Sequence, residues 1–452
     1  MSKKNICFVA NYEKTLLFAK VADKLTDANI FWITVNRTLY DTLTARYPKE
    51  TVLLIDKTAV LSKEKKGFDT APYKLNEMWI GDRVLKHESW GQQYLSNLSG
   101  IFYDFISTNN IDFIFGEQTW AHELLIHRVS SLNKELECQF LSPHTVRMPS
   151  GKFAFFKDEF QSAIQTYRSN DYDYEKHDII KAKKPEYLAL NNQILDEKSK
   201  LSYFIKKSKY FFTERVNEAH DPTKPDSLYR AFKGFFSYYI NKKKYHWFVK
   251  EMMVDELGEK DFVLFTLHKQ PEASIDNTGR YYENQIEIIK NIWRILPEDT
   301  LLLVKEHSNA IGDRKLSFYQ EISQFKNVKF INYQSDSYEL AQNAKAVFTI
   351  SGTVAYEAAL MNTPTFTFIP IFFNGLSLCK HINYDELRNP KTSLQALINS
   401  VKSDQEVDQD YTNWIHGNSF EGIISDYNSN PACMEDGNID ELVKAINVIV
   451  SI

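Results

Sequence analysis

The chain is poor in the residues that punctuate cofactor-binding loops or staple small folds: 15 glycines, 13 prolines and 4 cysteines among 452 residues. The glycines form neither G-x-G-x-x-G nor G-x-x-x-x-G-K-[ST], which argues against nicotinamide and P-loop chemistry. No G-x-S-x-G nucleophile elbow is present either. The cysteines, Cys7, Cys138, Cys379 and Cys433, stand far apart without a C-x-x-C spacing, so no zinc or redox motif exists and a reducing compartment is expected. No stretch approaches the roughly 20 apolar residues of a membrane span. The apolar run behind the basic start "MSKKNICFVANYEK" is too short for a secretory signal. A cytoplasmic protein is expected. The formal net charge of −5 gives no global reason to bind nucleic acid, and no such partner is expected.

What is present is an ordinary globular composition, 43% hydrophobic and 25% charged, with an aromatic content of 14% that implies large cores or stacking surfaces. The length implies two or three domains. Over the first 150 residues, strand-like runs ("NICFVA", "IFWITV", "TVLLID", "IDFIFGE", "CQFLS") alternate with helical patterns such as "KTLLFAKVADKL". Short β-rich runs spaced by helices predict a doubly wound parallel sheet. The alternation lapses over 155–250 and resumes with "DFVLFTL", "TLLLVKE", "NVKFIN", "AVFTI" and "TPTFTFI", interleaved with helices such as "NQIEIIKNIWRIL" and "SYELAQNA". An amphipathic helix, "NIDELVKAINVIV", closes the chain. The fold class is therefore α/β, two Rossmann-like halves facing a cleft, divided into 1–245, which includes a basic and aromatic helical connector, and 246–452, which ends in that helix. Between Leu201 and Lys250 there are eleven Lys and Arg against four Asp and Glu. This is either a solvated helical face or a patch that rests peripherally on an anionic inner membrane.

Open α/β sheets bind ligands at the carboxyl ends of their strands. After "AVFTI" come Ser351, Gly352 and Thr353, then a helix. Free N–H groups at a helix start suit phosphate or carboxylate, Ser351 or Thr353 can cap, and Gly352 lets a ligand approach the backbone. The competing reading is a plain βα turn. Glu357, one turn in, can accept from both hydroxyls of a ribose. Lys305 and His307 share one face at the end of "TLLLVKE" and both suit an anion. His268, Gln270, Glu272 and Ser274 follow "DFVLFTL" in a loop marked by Pro271. In the first half, Glu117 ends "IDFIFGE", and His144 and Arg147 lie in a Pro-bounded loop. "DYD" at Asp171–Asp173 and "DQD" at Asp408–Asp410 match a D-x-D pattern, but no strand precedes either, and no metal site is expected.

In that order, "FTLHKQPEASI", "LLLVKEHSNAIGDR", "NVKFIN" and "AVFTISGTVAYEAAL" resemble the surface-polysaccharide glycosyltransferases of the capsule-synthesis type. That group includes the 3-deoxy-manno-octulosonate (Kdo) transferases and relatives that use nonulosonic acids such as pseudaminic acid. The likeness covers about Asp261–Thr367 and is weaker at "FGEQTWAHELL" and "LSPHTVRMPSGKF". The resemblance implies a GT-B fold and a metal-independent, cofactor-free transfer from a CMP-activated ulosonic acid to a glycan or glycolipid acceptor. The first half would hold the acceptor and the second the nucleotide sugar. Lys305 and His307 look like the family's His-Pro element, with Ser308 in place of Pro. Ser351 and Thr353 resemble its Ser/Thr motif, and Glu357 would take the ribose. Glu272 would be the carboxylate that attacks the sugar in a retaining reaction, and Glu117 the partner acid/base. A teichoic-acid-like polyol-phosphate transferase shares the fold and a similar phosphate site. A non-catalytic capsule export or assembly factor is the reading outside enzymes.

Overall fold

The computed structural model describes residues 3–10, 12, 14–63, 69–169, 172–179, 220–224 and 228–452, without the side chains of 228–232 and 235. Asp171 and the stretches 201–219 and 225–227 of the basic connector lie outside the described residues.

Two seven-stranded sheets organise the described residues. The first contains β1 (Lys4–Ala10), β2 (Ala28–Thr34), β3 (Val52–Leu54), β4 (Phe113–Phe115), β5 (Gln139–Thr145) and β6 (Lys152–Phe156). The second contains β7 (Glu251–Met252), β8 (Phe262–Thr266), β9 (Leu301–Lys305), β10 (Val328–Ile331), β11 (Ala346–Thr349), β12 (Thr365–Thr367) and β13 (Cys379–His381). A last strand, β14 (Phe420–Glu421), returns to the first sheet. The orders are β14-β6-β5-β4-β1-β2-β3 and β13-β12-β11-β8-β9-β10-β7. The second sheet is parallel throughout; the first is parallel except where β5, β6 and β14 pair antiparallel. This is the expected α/β architecture, two doubly wound units in the GT-B arrangement.

The strands form where the sequence runs continuously apolar because the helices cover both sheet faces, and an alternating pattern would leave polar groups in a core. "LLLVK" at Leu301–Lys305 is buried along its whole length, as is "AVFT" at Ala346–Thr349. In each sheet the order reverses direction between two adjacent strands, β1 and β4 in the first, β8 and β11 in the second. The chain leaves such a pair toward opposite faces, so a crevice opens at their carboxyl ends.

The terminal helix Asp436–Val450 returns to the first unit. Its buried stripe, Ile439, Leu442, Ala445, Ile446 and Ile449, joins the core built by Phe8, Leu17, Phe18 and Val21 of the first unit. Periodicity reveals that such a stripe exists but not which core receives it. At roughly 1.5–3 kcal/mol per large apolar side chain buried, this strap binds the end of the chain firmly to the first sheet.

A buried charge cluster holds the two units together. Arg280 reaches from the second unit to Glu77 (3.2 Å) and Glu159, and Arg128 binds the same carboxylates, Glu77 at 2.8 Å and Glu159 at 2.5 Å. Tyr281 Oη donates to Glu77 at 2.6 Å.

Candidate functional site

The two crevices face one another. Asn277, in the loop after β8, donates from Nδ2 to the Gln118 carbonyl, in the loop after β4, at 3.0 Å. Tyr356, in the helix after β11, donates from Oη to the Met148 carbonyl, after β5, at 2.9 Å. Residues at the strand ends of both sheets therefore line one groove.

On the second wall, the turn between β11 and the helix Val354–Leu360 is fixed by its own side chains. Thr349 Oγ1 lies 2.9 Å from His268 Nε2 and accepts from the Gly352 N–H at 3.2 Å; the Ser351 N–H points to His268 Nε2 at 3.4 Å. A Cβ on Gly352 would fall 2.6 Å from Thr349 Oγ1, so the turn requires glycine here. Thr353 occupies the cap position without a side-chain capping bond, and Ser351 Oγ donates instead to the Ser274 carbonyl at 3.4 Å. The first two amides are thus engaged inside the turn. Those of Thr353 and Val354, with the Thr353 hydroxyl, have no partner among the described residues.

His268 belongs to the support of this turn. Its N–H donates to Gln285 Oε1 at 2.9 Å, its carbonyl accepts from Arg314, and burial, then His307 and Arg314, lower its pKa to about 3. It is a neutral acceptor. His307 is neutral too, lowered to about 4 by burial and then by Lys269, Lys305 and Arg314. The Asn309 N–H donates to His307 Nδ1 at 3.2 Å, so the proton resides on Nε2, which can donate to an anion. Lys305, buried, donates from Nζ to the Tyr333 carbonyl at 2.9 Å, and burial lowers its pKa to about 8. Two residues unmarked in the sequence complete this corner. Arg314 pairs with buried Glu306 at 2.5 Å and so ties the His307 loop to His268. Asp313, raised to about 6 by burial, has a buried Oδ2 without a partner.

The loop after β8 divides by role. Gln270 turns inward, donating to Asp276 Oδ1 at 3.3 Å. Glu272 is exposed at the start of the helix Ala273–Asp276 and accepts from Ser274 Oγ at 3.2 Å. Glu357 is mostly buried; burial raises it to about 7, Arg147 across the groove opposes that shift and Asp336 adds to it.

The first wall is ionic. Glu117, after β4, forms an ion pair with Lys14, after β1, so the pair spans the crevice of the first sheet. His144 donates from Nδ1 to the Thr145 carbonyl at 3.0 Å, and burial, then Lys14 and Arg147, lower its pKa to about 4. Its Nε2 is therefore an acceptor, the reverse of His307. Arg147 adopts a left-handed conformation, φ 63°, that a non-glycine residue takes only when its surroundings impose it. Glu123, fully buried, caps Thr119 and Trp120 with Oε2; burial, then Glu117, raise it to about 8. Among the described residues no three His, Cys, Asp or Glu side chains converge as metal ligands would, and no helix is long and apolar enough to cross a membrane.

No protein-family model matches the sequence, and no curated protein is similar to it at a significant level. Solved structures align over nearly the whole chain. A Thermosulfurimonas dismutans structure described as KpsC, beta Kdo 2,7 transferase, is 11% identical over 99% of both chains, with a TM-score of 0.36. The S. aureus MnaA–UDP structure is 14% identical over 99% of this chain and 97% of that one, with a TM-score of 0.29. The UDP-GlcNAc 2-epimerase of Methanocaldococcus jannaschii with UDP-GlcNAc and UDP is 14% identical over 98% of both chains, with a TM-score of 0.28. Likeness at this level carries no information on activity, and the fold rests on the strand order itself.

Proposed function

We propose that the groove transfers an acidic sugar, a Kdo-like or nonulosonic acid, from a CMP-activated donor to a growing surface glycan with retention of configuration. The observation that carries this reading is the contrast between facing walls at the two strand-order crevices. One offers uncharged donors, the Thr353 and Val354 amides, the Thr353 hydroxyl and His307 Nε2–H. The other offers the Lys14–Glu117 pair and the acceptor nitrogen of His144.

The chemistry follows from those groups. The leaving phosphate gains charge as its bond to the anomeric carbon breaks, and preorganised donors stabilise it with little reorganisation. Lys305 sits behind His307 and adds positive potential without direct contact. Glu357, when ionised, accepts from the ribose hydroxyls. Glu272 supplies the electron pair that forms the bond to the anomeric carbon, and the electron pair of the cleaved bond leaves with CMP. Glu117 then takes the proton of the acceptor hydroxyl, whose oxygen attacks the same carbon and releases Glu272. Glu272 is solvated in this state, so the bound sugar must displace its water before attack. Gln270 and Ser274 hold the Glu272 loop, and His144 and Arg147 face the sugar or the acceptor. No step requires a metal.

The test combines a thermal-shift comparison of CMP, UDP, GDP and ADP with an assay of CMP release from CMP-ulosonates. Selective stabilisation by CMP is expected, about 2.7 kcal/mol at a hundredfold excess over Kd. Glu272→Gln and Glu117→Gln should each lower transfer by about 10²–10⁴-fold while CMP still stabilises the protein. Unaffected turnover in Glu272→Gln removes the retaining mechanism, a phosphorus-containing product indicates a polyol-phosphate transferase, and no CMP release from any donor indicates a non-catalytic assembly factor.

A further inference from the structure

The helix Leu228–Phe248 has two unlike faces. Its inner face carries Tyr245, buried against Tyr319 at 4.9 Å between ring centroids, and Tyr238, one full heptad earlier, whose ring closes on Gly312 so tightly that a Cβ there would meet it at 2.9 Å. Gly312 belongs to the loop that continues from His307 to Arg314. The inner face therefore braces the wall assigned above to the donor phosphate.

The outer face is of another kind. Ile240, Lys243, Lys244 and Trp247 lie at the i, i+3, i+4 and i+7 positions of one stripe, and Phe248 extends it. Trp247 is 73% exposed and Phe248 62% exposed, while Ile240 is exposed beside them. No carboxylate pairs with Lys243 or Lys244 among the described residues. A merely solvated helix face alternates lysine with glutamate and keeps large aromatic rings covered. Apolar and aromatic side chains set among unpaired lysines are the composition of a helix that lies in a lipid–water interface, with rings at the headgroup level and ammonium groups on anionic lipid.

We propose that this outer face docks the protein on an anionic lipid surface. A second copy of the chain is a poorer occupant, because self-pairing would oppose two lysine-rich stripes. The proposal goes beyond the reaction proposed above and stands without it, since lipid binding is measured with no donor or acceptor present. If both hold, the helix places the groove next to a lipid-borne acceptor.

The experiment is co-sedimentation of the full chain with phosphatidylglycerol or phosphatidylcholine vesicles. The protein should pellet with phosphatidylglycerol, not with phosphatidylcholine, and the bound fraction should fall as salt rises. Trp247→Ala and the pair Lys243→Glu/Lys244→Glu should each lower binding at least fivefold with an unchanged melting temperature. Both sites are exposed, so folding is preserved; the far-UV circular dichroism spectrum provides an independent check. Absence of binding, equal binding to both lipids, or variants that bind like the parent chain would overturn the proposal. So would light scattering that shows a dimer in the parent and a monomer in Trp247→Ala, which would assign the face to a second copy.

Discussion

The charge cluster between the two units and the groove beside it are built from the same residue types with opposite outcomes. In the cluster, burial alone would raise Glu77 and Glu159, but hydrogen bonds and charges from their partners outweigh it. Tyr281 and Arg128 hold Glu77 below its usual value, and Arg128, His127 and Arg280 hold Glu159 well below the carboxylate range. In and behind the groove walls, burial wins. Glu123 rises to about 8, Glu357 to about 7 and Asp313 to about 6. The cluster is complete in itself and fixes one arrangement. The groove is left unbalanced: the Glu357 carboxyl, Nε2 of His144 and of His307, and the Thr353 and Val354 amides have no hydrogen-bond partner among the described residues. Perturbed groups of this kind concentrate where a protein binds or reacts.

The largest effect expected from breaking this contrast lies in the cluster. Arg280→Met leaves Arg128 as the guanidinium shared by Glu77 and Glu159, with Tyr281 and Lys74 still on Glu77 and His127 still beside Glu159. Removing one partner of a buried ionic group costs about 3–5 kcal/mol, because the remaining charge stays desolvated. Urea unfolding should show a loss of that size. A loss under about 1 kcal/mol would place the cluster with ordinary surface ion pairs and dissolve the distinction drawn here.

The second test moves to the groove, where the cost should appear in binding rather than stability. His307→Ala removes a donor whose tautomer is set by the Asn309 N–H. CMP affinity should fall by about 1–3 kcal/mol, with the unfolding midpoint little changed. Unchanged affinity in a calorimetric titration would put the phosphate elsewhere.

How much of this contrast can be read in the sequence depends on distance along the chain. The strands, the Ser351–Gly352–Thr353 turn and the polar strand ends are local patterns and are legible. The closure of the turn is less so. A helix start implies free amides, but only tertiary contact shows that the Ser351 and Gly352 amides turn to His268 and Thr349 while the next two stay open. Lys305 and His307 do share a strand-end pattern, yet nothing local announces that Tyr333, 28 residues on, accepts from Lys305. Glu77 and Arg280, 203 residues apart, carry no motif at all. Arg314 and Asp313 are equally silent, because a buried pair and an orphaned oxygen are defined by what surrounds them. The docking of the terminal helix on the first sheet fails to show for the same reason.

The smallest effect is also the one that distinguishes the two regions by sign. Glu159 is depressed, so its stabilisation is present above the unfolded glutamate value of about 4.3 and is lost as pH falls through its lower native value. Glu357 is raised to about 7, so between about pH 7 and pH 4.3 the native state holds a proton that the unfolded chain lacks. Its contribution to stability therefore grows as pH falls through that window and is lost as pH rises through 7. The slope is at most about 1.4 kcal/mol per pH unit. Urea melts at pH 5, 6, 7 and 8 should show the parent gaining on Glu357→Gln toward the acid side, since glutamine cannot take up the proton. CMP binding should move the opposite way. A carboxylate that accepts from ribose hydroxyls is lost below pH 7, so affinity should weaken by up to about tenfold per unit there and be flat in the variant. If the stability difference between the two proteins does not change from pH 5 to pH 8, Glu357 ionises like an exposed carboxylate. The groove would then share the balanced electrostatics of the cluster.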